Sequence, residues 1–167
     1  LRGPKSRKAA TRNRRLIAPA NDRLLADVRE LIEAARRQVA QAVNSVLVAL
    51  YWHIGKRVRE DILHQQRAEY GKQIVVSLSR QLETEYGSSF SDKNLRRMMQ
   101  FAEIFPDEKI VVSMIRQLSW THFIALIPLE KALQREFYAE MCRLERWSVS
   151  TLRKKIGGML FERTTLS

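Results

Sequence analysis

The sequence predicts an all-α fold, a helical bundle with a long first helix and a helix-turn-helix-like unit. Three observations carry that expectation. Glycine and proline are scarce, six and four in 167 residues, and they fall where elements change. Apolar residues recur at helical spacing along nearly the whole chain. Ser91, Ser119 and Ser148 each precede such a stretch, where a side-chain oxygen can accept from the first unpaired backbone N–H groups of a helix.

With 45% hydrophobic residues, the chain suits one packed core. Residues 1–20 read as a flexible basic arm. They hold Arg2, Lys5, Arg7, Lys8, Arg12, Arg14 and Arg15 and no acidic residue, so seven of the net +12 charges sit there, leaving +5 for an all-helical domain at 21–167. The arm has neither an apolar signal segment nor a helical stripe.

The first helix begins after Asn21 or Asp22 and continues through Leu24, Val28, Leu31, Ala35, Ala42, Val46, Leu50 and Ile54 to about residue 62. Some 40 residues make a helix of about 60 Å, against a radius of gyration near 15 Å for a compact chain of this size. Either the helix breaks between Gln38 and Asn44, or it protrudes and pairs with another copy. Leu24, Val28, Leu31, Ala35, Ala42 and Ala49 are spaced for a homodimer through residues 22–62, with gaps at Gln38 and Ser45. Tyr51 and Trp52 could stack on bases, but inside an apolar run they read as core. Gly55 implies the close approach of a neighbouring helix.

A second helix is expected from Lys72 to Tyr86, with Ile74, Val75, Leu78, Leu82 and Tyr86 inward and Gly87 as its stop. Ser91 caps a third, with Leu95, Met98, Met99, Ala102 and Phe105 inward and Pro106 ending it. A short helix over 110–117 follows, then one capped by Ser119 in "LSWTHFIALIP" and one over 130–145. The last runs from Ser148 through Ile156 into "GGMLFER". Met114 reads as core, like Met98 and Met99.

Residues 72–105 thus place two helices around the turn "GSSFS", with Phe90 to plug the space between them. On the second of these helices Lys93, Arg96, Arg97 and Gln100 fall on one arc, whose acidic neighbour is Glu103 at the edge. Such donors suit phosphates and guanine edges. Any surface helix also places charge opposite its core stripe. Arg12, Arg14 and Arg15 would add sequence-independent attraction to DNA, with Arg153, Lys154 and Lys155 as a second set.

Other chemistry finds little to stand on. The single Cys142 excludes an internal disulfide and cysteine-rich zinc patterns, and suits a cytoplasmic setting. His53, His64 and His122 lack ligand spacing, and Gly157 and Gly158 lack the context of a phosphate loop. The longest strongly apolar run, Val46 to Trp52, is far short of a membrane span. No cofactor, metal or small-molecule ligand is expected for these residues.

The segments "LYWHIGKRV" (50–58), "LSRQLETEYGSSFSDKNLRRMMQFAEIFP" (78–106), "LSWTHFIALI" (118–127) and "REFYAEMCRLERWSVSTLRKKI" with "LFERT" (135–164) resemble the amino-terminal domain of the YhcG-type family of bacterial nucleases. The resemblance spans about residues 24–167. It implies an all-helical DNA-binding domain preceding a carboxy-terminal PD-(D/E)xK nuclease domain, which would hold the divalent metal and which this chain stops before. The "PDEK" at 106–109 and the "LEK" at 129–131 lack the strands which that chemistry uses. For His122 the resemblance implies a recurrent feature, which a capped helix start explains equally. The chain therefore reads as a non-catalytic DNA-docking module, against two rivals: an oligomerisation module with a solvated basic arc, and a binder of single-stranded or hairpin RNA.

Overall fold

The computed structural model describes the backbone of residues 9–65 and 68–166, and side chains of residues 22–64 and 69–166. Eight α-helices and no strand are found among these residues: α1 (Ala9–Gln65), α2 (Ala68–Tyr86), α3 (Asp92–Ile104), α4 (Glu108–Met114), α5 (Trp120–Leu126), α6 (Ala132–Glu145), α7 (Val149–Gly157) and α8 (Leu160–Thr165), with a 3-10 turn at Ser88–Phe90. None is long and apolar enough to cross a membrane. The chain divides into two compact units, Leu1–Ala40 and Gln41–Ser167.

Among the described residues of the first unit α1 is the only element, and its side chains from Asp22 to Ala40 are exposed except the half-buried Ala34. Leu24 and Leu31 are 61% and 71% exposed. The helix is continuous through Gln38 to Asn44, so the break allowed there does not occur.

In the second unit α1 turns inward the side of Tyr51 and Trp52, as read from their apolar run, and leaves out two members of its expected stripe. Val46 and Leu50 stay exposed, while Val48, Tyr51 and Trp52 are buried. The reason lies with the polar residues beside Val48. The last carbonyls of a helix lack intrahelical partners, and α1 supplies donors to those at and just beyond the end of α4. Ser45 Oγ donates to Ile115 O at 3.0 Å, Asn44 Nδ2 to Leu118 O at 3.2 Å, and the Gln41 amide to Arg116 O. Trp52 Nε1 donates in the same way to Phe105 O, just past α3, at 2.8 Å.

Two clusters of buried side chains form the interior. The larger gathers Val48, Trp52, Phe101, Phe123, Leu126, Tyr138 and Leu152 from α1, α3, α5, α6 and α7. The smaller gathers Tyr51, Val75, Leu95 and Met98 from α1, α2 and α3. Trp120 packs on both, its ring 5.1 Å from Tyr51 and 5.6 Å from Phe101. At the α1–α3 crossing Gly55 lies against the backbone at Met98.

Several expected boundaries and positions shift. The second helix begins at Ala68 rather than Lys72, and Tyr86, assigned inward, is 68% exposed. It is the last residue of α2, and its ring stands edge-on to Phe90 at 5.9 Å. The fourth helix occupies Glu108–Met114 instead of 110–117, since Asp107 caps it. The sixth begins at Ala132. The last expected helix is two, α7 and α8, parted where Met159 adopts φ 55°.

Candidate nucleic-acid interface

The end of α2, the 3-10 turn and the start of α3 are fixed by local hydrogen bonds. Gly87 takes φ 95°, a conformation that costs glycine nothing, and its N–H reaches Glu83 O at 2.9 Å. Phe90 is half-buried with its ring edge-on to Tyr51 at 6.3 Å, so it fills the turn as its position suggested. Ser91 Oγ accepts from Asn94 N–H at 3.4 Å, and Asn94 Nδ2 donates to Ser89 O at 3.1 Å. Asn94 thereby ties the turn to the helix start, a role that the sequence pattern did not reveal.

The arc of α3 is present, but its members differ. Lys93 and Gln100 are exposed, with no polar partner among the described residues. Arg96 lies 3.1 Å from Asp92 Oδ1 in an i, i+4 ion pair without an aligned hydrogen bond. Arg97 is half-buried and donates to Asn94 Oδ1 at 3.3 Å. Glu103 at the arc's edge pairs with Arg59 of α1 at 3.5 Å. Asp92 is a second acid beside the arc, where helical spacing alone pointed to Glu103. Its spacing to Arg96 was the available signal.

Arg153, Lys154 and Lys155 are all exposed on α7, which packs with α5, α6 and α8, whereas the arc of α3 rides on α2 and the turn. Lys155 Nζ stands 5.5 Å over the Trp147 ring. The side chains of Arg12, Arg14 and Arg15, with the arm at 1–20, lie outside the described side chains.

His122 has a structural place. Its Nδ1 accepts from Ser119 N–H at 3.1 Å, which leaves the proton on Nε2 to donate to Trp147 O at 2.9 Å. One ring thus closes the start of α5 and holds the loop before α7. Asp107 Oδ1 accepts from Lys109 N–H at 2.8 Å, and Glu108 pairs with His53 at 3.3 Å. Among the described residues no three His, Cys, Asp or Glu side chains converge to hold a metal ion. A cleft of about 480 Å³, walled by Phe105, Ile110, Met114, Leu118, Arg135 and Ala139, has no signature in the sequence, because its walls come together only in the fold.

Residues 27–163 match the DUF1016 N-terminal domain. The chain is 29% identical, over 82% of its length, to "Putative nuclease YhcG" of Escherichia coli (strain K12), and the matched region spans 44% of that relative. No solved structure matches.

Proposed function

Because the chain belongs to the DUF1016 N-terminal domain family, we propose that it is the DNA-docking module of a nuclease, binding the phosphate backbone and cleaving no bond itself. The observation that carries this reading is the edge of α3, where the exposed Lys93, Arg96 and Gln100 and the half-buried Arg97 follow directly on a capped turn. Cations in such a row displace the counterions condensed on DNA phosphates when they bind. Arg12, Arg14 and Arg15 add non-specific attraction, and Arg153, Lys154 and Lys155 form a second contact set. On this reading the nuclease chemistry, with the divalent metal it would need, lies outside the matched region.

Asp92 is a cost in this arrangement, since its carboxylate sits at the helix start where a phosphate would approach. The i, i+4 pair keeps Arg96 parked until a phosphate competes for it.

The test is duplex DNA binding by the chain and by its Lys93→Ala, Arg96→Ala, Arg97→Ala variant across a salt series. The expected result is weaker binding, with a slope of log affinity on log salt shallower by about 2.7, at about 0.9 for each phosphate left without its cation. Equal affinity and slope in a folded variant would reject the arc as the docking surface.

A further inference from the structure

We propose that residues 25–49 of α1 form a self-association surface, pairing antiparallel with the same segment of a second copy of this chain. This goes beyond the DNA-docking reading and does not depend on it.

The register starts at Leu25, one residue from the seam that Gln38 and Ser45 interrupt. Leu25, Ile32, Val39 and Val46 occupy one heptad position, and Val28, Ala35, Ala42 and Ala49 the other. Eight consecutive seam positions are apolar. Leu25, Val28, Ile32, Val39 and Val46 are 45, 41, 47, 63 and 68% exposed, and Ala35 and Ala42 are exposed too. Ala49 is half-buried against the larger cluster and closes the row. At 100° per residue Val46 lies about 200° from the core-facing Val48, so this face, Ala49 apart, is additional to the one that builds the core. A helix meeting only water would place polar residues there, yet Asp27, Glu30, Glu33 and Arg37 all lie off the seam.

Side-chain size and charge identify the occupant. A parallel pair in register would stack Leu, Ile and Val on themselves at one position and Ala on Ala three times at the other, alternating crowded layers with hollow ones. Antiparallel pairing sets Leu25 against Ala49, Ile32 against Ala42, Val39 against Ala35 and Val46 against Val28. Nearly every layer then holds one large and one small side chain, which keeps the two helices evenly spaced. The segment is self-complementary, as a two-fold interface requires. Residues 22–49 carry Asp22, Asp27, Glu30 and Glu33 against Arg23, Arg29, Arg36 and Arg37. Two such segments therefore meet without net repulsion, although the chain as a whole is strongly basic.

The experiment uses the full 167-residue chain. Light scattering across a dilution series should give twice the chain mass, and Val39→Asp should halve it while the helical circular dichroism is retained. Ala35→Cys and Val39→Cys chains, mixed and oxidised, should give the mixed disulfide in excess of either symmetric one. Cys142 is buried and does not compete. A monomer at every concentration, a larger assembly, an unchanged mass for Val39→Asp, or a dominant Val39→Cys symmetric disulfide would each overturn the proposal.

Discussion

A Cβ on Gly55 would lie 1.9 Å from the carbonyl oxygen of Met98 and 2.3 Å from its carbonyl carbon. The obstacle is α3 backbone, which cannot swing aside as a flexible side chain could. Both clusters draw on α1 and α3, so their separation at this crossing sets the packing of each.

Gly55→Ala should therefore destabilise the chain by about 3 kcal/mol, although alanine favours a helix over glycine by about 1 kcal/mol. Gly157→Ala is the control, since a Cβ there meets nothing within 4 Å. It should raise stability by about 0.5 kcal/mol. Urea denaturation of the two variants reads the opposite signs.

Asn44→Leu tests the carbonyl ladder. The substitution makes α1 more apolar and a better helix former, yet it strips Leu118 O of its donor. A loss of about 1 to 2 kcal/mol is expected. A gain in melting temperature would show that this carbonyl finds another partner.

These two sites show where the sequence was legible. Gly55, Trp52 and the caps at Ser91, Ser119 and Ser148 announce themselves through chemistry confined to a few neighbouring residues. The facing of α1 before Tyr51 does not, because its apolar residues there cover more than one side. Which side turned inward was decided by Gln41, Asn44 and Ser45, whose partners lie 75, 74 and 70 residues away. Phe101, fully buried, was missing from the expected stripe of α3 for a related reason. It sits off the side that meets α2 and is claimed by Phe123, with ring centroids 4.5 Å apart. In the α3 arc the basic residues could be read from helical spacing, whereas the constraint that Asn94 and Asp92 place on the two arginines needed the folded turn.

Burial pushes the Cys142 thiol up to about 11 from 9.0. Between those values the unfolded chain releases a proton that the folded chain keeps, so stability should fall as pH rises from about 9 to 11. Denaturant titrations at pH 8 and pH 10, with Cys142→Ala to remove the effect, check the sign. At pH 8 a thiol reagent should label Cys142 only as fast as the chain opens.

Asp92→Asn should tighten duplex binding by about threefold, by removing a charge opposed to phosphate and releasing Arg96. It should also cost the helix start about 0.5 kcal/mol. Fluorescence anisotropy with a labelled duplex, beside a thermal melt, separates the two effects. Unchanged affinity would place the phosphates elsewhere.

Met159→Gly should stabilise by up to about 1 kcal/mol, since a half-exposed methionine now holds a left-handed conformation that glycine adopts freely. The thermal melt is again the measurement.

At seven residues, α4 is shorter than a helix that persists alone in water. The carbonyls of Ile115, Arg116 and Leu118, just past its end, take their side-chain donors from α1, at least 70 residues away. During synthesis α1 must therefore wait, its amide row unspent, until some 70 further residues have emerged. Once folded, the amides of Val111 and Ile115, bonded to Asp107 O and Val111 O at 3.1 and 3.0 Å, should exchange with solvent on the timescale of global opening, and not at the fast rate of a short surface helix that frays by itself.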